Sequence, residues 1–186
     1  MSAPRITRQL LREWEACWSY DAIAAVVPPE GVTVWDVLDA PAELLDHDER
    51  VWVLAHVLPE REARLFACRC AARALRAAGV TDIRSWRAVW KAAQYAHGLA
   101  TAEELAVADW AAADDTACDA AYAAVIATAY TAGFAAAADV ACDVACDAAR
   151  AAVIATAYTA GFAAAAEQRR QLDDLRATCS RVWGLP

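Results

Sequence analysis

Residues 117–138 read ACDAAYAAVIATAYTAGFAAAA, and residues 145–166 read ACDAARAAVIATAYTAGFAAAA. The two stretches differ only where Tyr122 becomes Arg150. Alanine dominates both, and alanine is the strongest helix former because it loses no side-chain entropy on folding. The offset of 28 residues is four heptads, which keeps equivalent residues on one face of a supercoiled helix. From Ala102 to Gly184 there is no proline, and within the repeats only Gly133 and Gly161 interrupt the pattern, at equivalent places. The expected fold is all-α: a helical bundle whose C-terminal, alanine-rich helices are built from the duplicated 28-residue unit. Small residues at i, i+4 let such helices approach closely, gaining dispersion contacts without large side chains.

Working outward from the repeats, the same periodicity continues toward the N-terminus with stronger punctuation. Thr101-Ala102-Glu103-Glu104 reads as a capping box that opens a helix. Before it, Asp82 to His97 is expected to turn Trp86, Val89, Trp90 and Ala93 inward and to stop at Gly98. Glu60 to Ala78 places Leu65, Phe66, Cys68, Ala72 and Leu75 inward and ends at Gly79, a plausible αL terminator. Asp48 to Leu58 stops at Pro59. Residues 1–46 form a more broken lobe, and residues 47–186 the alanine-rich bundle. In the lobe, Ile6 to Trp18 reads as an amphipathic helix and Asp21 to Val27 as a short one ending before Pro28-Pro29-Glu30-Gly31. Thr33-Val34-Trp35-Asp36 is a second capping box, opening a helix to Asp39, and Pro41 to Leu45 adds a brief turn. Alanine buries little area, so the eight tryptophans are the expected anchors of the core.

The net charge of −8 and pI near 4.8 disfavour a general nucleic-acid binder or an anionic-membrane binder. The distribution is lopsided. Arg61, Arg64, Arg69, Arg73, Arg76, Arg84, Arg87 and Lys91 meet only Glu62 and Asp82 within their own segment. From Thr101 to Ala149 there are nine carboxylates and no Lys or Arg. The uncharged run Ala120 to Ala138 is 19 residues, near membrane-span length, but its alanine, threonine and tyrosine content inserts poorly. A buried helix of a soluble protein is the expected reading. Met1 to Leu11 has arginines and no apolar run of the secretory kind, and seven scattered cysteines fit a reducing, cytoplasmic setting.

Within the acidic segment Asp115 and Asp119 are i, i+4, and Asp139, Asp143 and Asp147 are i, i+4, i+8. The duplication relates Asp115 to Asp143 and Asp119 to Asp147. Four residues of helix rise roughly 6 Å, so each set stacks on one face. The plain reading is a solvated polar face. The functional one is a partner-binding stripe that meets a basic protein surface, imitating nucleic-acid phosphates. A metal site is third, since hard ions need oxygens converging from several elements rather than a row. Cys142 and Cys146 (i, i+4) and Cys68-Arg69-Cys70 make no zinc pattern and read as buried small hydrophobes. His47, His56 and His97 are too dispersed for a metal cluster, and His97 beside Gly98 fits a helix C-terminus. Thr128, Tyr130 and Thr131, repeated as Thr156, Tyr158 and Thr159, read as core residues rather than a flat hydroxyl array. With no phosphate loop or supported triad, no catalytic residue, metal or cofactor is expected.

Leu65-Phe66-Ala67-Cys68-Arg69-Cys70-Ala71-Ala72-Arg73-Ala74-Leu75, Asp82-Ile83-Arg84-Ser85-Trp86 and Tyr95-Ala96-His97-Gly98-Leu99-Ala100-Thr101-Ala102-Glu103-Glu104-Leu105 carry a resemblance. With the alanine-rich continuation, Val51 to Ala112 resembles a widespread group of alanine-rich bacterial and phage proteins, some described as immunity proteins. The resemblance implies binding and neutralising another protein, a toxin or a host defence component, and no catalytic residues. The expectation is therefore a non-enzymatic acidic helical inhibitor of one partner protein: an anti-defence protein of the anti-CRISPR kind, or a toxin-neutralising one. It would contact neither nucleic acid nor membrane directly. The alternative is a self-assembling helical module in which alanine faces pair between copies.

Overall fold

The structure, a computed structural model, describes residues 3–14, 16, 20–77, 79–81, 83–105, 107 and 163–184. The first copy of the duplicated unit, and the second as far as residue 162, lie outside them. Among the described residues the fold is all-α, with no strand beyond a single isolated bridge. No helix among them is long and apolar enough to cross a membrane.

The first helix is shorter than the amphipathic pattern of Ile6 to Trp18 predicts. Helix α1 is Arg8–Glu13, capped by Thr7, whose hydroxyl accepts the Leu10 N–H at 3.2 Å. Ile6 is instead extended, exchanging backbone hydrogen bonds of 2.8 and 2.9 Å with Val32. Gly31 makes that pairing fit. Its φ is +79°, and a Cβ there would sit 2.8 Å from the Ile6 carbonyl oxygen. Gly31→Ala is therefore expected to destabilise the chain by at least about 1 kcal/mol, measured by thermal unfolding. An unchanged midpoint would show that the bridge does not constrain the fold.

Helix α2, Tyr20–Val26, is followed by α3, Val34–Asp39. Arg8 donates to the carbonyls of Val27 at 2.5 Å and Ala24 at 3.0 Å, tying α1 to the end of α2. The Thr33 capping box forms as its sequence predicts. Hydrogen bonds from the Thr33 backbone N–H (2.7 Å) and hydroxyl (2.8 Å) hold the Asp36 carboxyl below its ordinary pKa. Helix α4, His47–Val57, starts at a box the sequence reading did not name: Asp46 accepts the Glu49 N–H, and Glu49 accepts the Asp46 N–H.

Helices α5, Glu60–Ala77, and α6, Ile83–Ala96, are the most extensively packed pair. Arg61 meets His97, Arg64 lies over Tyr95 and Arg76 over Trp86, so the two run antiparallel. Many of the residues the two helices bury are small: Ala63, Ala67, Ala71 and Ala74 on α5, and Ser85, Ala88 and Ala92 on α6. Small side chains permit close approach. Beyond Gly98 the Thr101 box also closes, with Thr101 N–H on Glu104 at 2.9 Å, and residues 102–105 are helical.

Two expectations about packing change. Trp90, predicted inward, is 62% exposed, because the buried face of α6 runs through Ser85, Ala88, Val89 and Ala92 and Trp90 falls off it. Among the described residues the tryptophans also do not form the centre. Trp14, Trp35, Trp52, Trp86 and Trp183 ring the core half-buried, while its fully buried large members include Phe66, Leu11, Leu54, Leu75 and Leu175. An indole N–H needs a partner when covered, which favours the margin; Trp86 donates to the Val80 carbonyl at 2.9 Å. Cys68 and Cys70, expected as buried small hydrophobes, are buried with free thiols, as is Cys179.

Candidate functional site

The described charge chemistry concentrates where α5 meets the last helix, α7, Ala163–Trp183. The stripe of α7 that reaches the core, at i, i+4, i+8, i+11 and i+12, is Glu167, Gln171, Leu175, Thr178 and Cys179, all buried. Glu167, Gln171 and Thr178 are polar, and each needs partners once water is removed. Alpha5 supplies them for Thr178 and Glu167 from the i, i+4 pair Arg69 and Arg73, while Gln171 pairs with Glu167 on its own helix.

Arg73 sits at the centre. Its Nε donates to Glu167 Oε1 at 2.7 Å, its Nη1 to Asp174 Oδ2 at 2.5 Å, and its Nη2 to the Cys70 sulfur at 3.4 Å. Glu167 is 1% exposed, and its Oε1 also accepts the Gln171 amide at 3.0 Å. Arg69 donates to the Thr178 hydroxyl at 3.1 Å, with its Nε 3.8 Å from Asp174. The Thr178 hydroxyl donates in turn to the Asp174 carbonyl and accepts from Arg181 at 3.0 Å. Arg181 lies 3.5 Å from Glu62, so α7 runs antiparallel to α5 on another side from α6. At the far margin Arg176 pairs with Asp39 at the end of α3.

This arrangement accounts for much of the basic segment that stands out in the sequence. Arg64, 5% exposed, donates from Nε to Glu60 at 2.9 Å and lies 5.3 Å from the Tyr95 ring. Lys91 is 3.8 Å from Glu104 and 6.0 Å from the Trp90 ring. The carboxylates that meet these cations are distant in sequence or on a neighbouring turn. Cys70 lies in the α5–α7 seam beside Arg73, and burial pushes its thiol and those of Cys68 and Cys179 up to about 12. They are protonated at neutral pH and so poor nucleophiles.

His56 stacks between Trp14 and Trp52, with ring centroids 5.1 and 4.0 Å away. His47 opens α4 and His97 follows α6, where Arg61 approaches its Nδ1 at 3.1 Å. The structure therefore places the three histidines apart, in separate packing roles.

Asp115, Asp119, Asp139, Asp143 and Asp147 lie outside the described residues, as do Cys142 and Cys146 and the threonine–tyrosine sets. The polar seam itself went unread in the sequence. Its signal was present: polar residues at 167, 171 and 178 share helical spacing with Leu175, and Arg69 and Arg73 have matching spacing on another helix. Only the pairing of the two helices makes that coincidence meaningful.

The fold and seam define an all-α protein whose charged interior is built for helix pairing. Comparisons with protein-family models, curated proteins and solved structures find no match.

Proposed function

We propose that this chain is a non-enzymatic, acidic helical inhibitor that binds one partner protein through a basic surface of that partner. The observation that carries the reading is the segment from Thr101 to Ala149, with nine carboxylates and no Lys or Arg. Its aspartates recur at helical spacing, and the duplication repeats the pair Asp115/Asp119 as Asp143/Asp147. Each 28-residue unit thus contributes one acidic face to a bundle of closely packed alanine-rich helices. The paired state of Arg64, Arg69, Arg73 and Lys91 supports the reading, because these cations already meet Glu60, Glu167, Asp174, Thr178 and Glu104.

A basic groove that ordinarily holds nucleic acid is the chemistry such a stripe fits, since it already attracts polyanions. That class includes the targets of phage and mobile-element anti-defence proteins and nuclease toxins met by immunity proteins. The resemblance of Val51 to Ala112 to alanine-rich immunity proteins points the same way.

The test uses the partner recovered by affinity capture from the native host. Changing Asp115, Asp119, Asp143 and Asp147 together to Asn is expected to slow association by about tenfold or more at low salt. It should also flatten the dependence of the association rate on ionic strength, with stopped-flow fluorescence as the measurement. Unchanged rates and salt slope would reduce the stripe to a solvated face and remove the basis of the proposal. A mass that rises with concentration in light scattering, with no partner captured, would favour self-assembly instead.

A further inference from the structure

At the α5–α7 seam, Arg73, Arg76 and Ala77 on one helix and Glu167 and Arg170 on the other line a cavity of about 290 Å³. Its one carboxylate is already satisfied. Glu167 is 1% exposed and holds Arg73 at 2.7 Å and Gln171 at 3.0 Å. Arg73 is likewise committed, to Glu167, Asp174 and Cys70. The other two arginines are placed differently. Arg170 is 65% exposed, and its Nη1 is 4.0 Å from Glu167 Oε2, too long for a hydrogen bond. Arg76 lies over the Trp86 ring at 5.4 Å, a stacking that orients the guanidinium while leaving its in-plane donors for another group.

Counting Arg69 and Arg181 with these three, five guanidiniums share three carboxylates, Glu167, Asp174 and Glu62, at the described seam. The seam is thus locally positive on a chain whose net charge is −8. Planar donors on two sides of a concave space, over a neutralised floor, are suited to a planar or tetrahedral oxyanion. Ala77 leaves one wall short and apolar. The volume lies near the lower end of small-molecule sites, enough for an oxyanion with a small organic body.

We infer that this cavity binds a small oxyanion, a phosphate or carboxylate group, held between Arg76 and Arg170. The ligand would bridge α5 and α7 and is independent of the acidic segment.

The experiment titrates the full-length protein with inorganic phosphate, pyrophosphate and succinate at ionic strength held constant with sodium chloride. Tryptophan fluorescence, sensitive to the Arg76–Trp86 stack, and thermal unfolding are the readouts. The expected result is a saturable response with a dissociation constant at or below about 1 mM for at least one anion. Preference for the phosphates over succinate assigns a phosphoryl ligand, and the reverse assigns a carboxylate. Arg76→Gln combined with Arg170→Gln changes two exposed side chains, and an unchanged circular dichroism spectrum verifies the fold. That variant is expected to lose at least tenfold in affinity. A response no different from sodium chloride, or one that survives in the folded double variant, overturns the assignment.

Discussion

Arg73→Met is expected to destabilise the chain by about 3–5 kcal/mol, read from urea unfolding followed by far-ultraviolet circular dichroism. The reason is the carboxylate left behind. Glu167 is 1% exposed, and without Arg73 its remaining described hydrogen-bond donor is the Gln171 amide at 3.0 Å. Asp174 suffers less, because at 30% exposure it can turn toward water. A buried charge without its counter-charge is the costly case, whereas replacing both members with apolar groups of similar volume can be nearly neutral. Arg73→Met combined with Glu167→Leu should therefore recover most of the loss. Asp174 and Gln171 shared the same network, so the recovery falls short of complete. A loss below about 1 kcal/mol for Arg73→Met would show that water reaches Glu167 and that the seam is an exposed ion pair.

Phe66→Ala is expected to cost a comparable amount, about 3–5 kcal/mol, by the same measurement. Phe66 is fully buried on α5 and belongs to a core cluster whose described members extend from Ile6 to Cys179. Neighbours on its own helix, Ala63, Ala67 and Cys70, are too short to fill the space that the ring vacates. Phe66→Leu keeps most of the apolar volume and should cost clearly less. Native domains retain only about 5–15 kcal/mol in total, so either large substitution removes much of the margin. Equal losses for alanine and leucine would mean that ring shape, not volume, matters at this position.

The interior these two predictions probe was unevenly legible. The helices between Thr33 and Leu105 follow largely from local chemistry: caps at Thr33 and Thr101, Pro59 between α4 and α5, and glycine with positive φ at Gly79 and Gly98. Burial was legible for Phe66, Cys68, Leu75 and Val89 because apolar spacing points to one side of a helix. It failed at Trp90. Hydrophobicity alone does not say that this helix would bury Ser85, Ala88 and Ala92 in preference to an indole. It failed again at the start of α1, where Ile6 has helical spacing with Leu10 but is drawn into a backbone pairing with Val32, 26 residues away.

The acidic segment and the duplicated unit are properties of composition, so they are read without coordinates. The alanine repeats, the nine carboxylates between Thr101 and Ala149 and the basic run from Arg61 to Lys91 stand in the sequence alone. So does the helical character, because propensity, capping and chain breakers act over a few residues. What tertiary structure decided is where charge is spent. Arg69 and Arg73 look like part of a basic surface until α7 lies antiparallel to α5 and brings Glu167, Asp174 and Thr178 to them across about a hundred residues. A charge's neighbours along the chain are set by sequence. Its neighbours in space, which determine whether it is buried, paired or left to bind something else, are set by which helices pack.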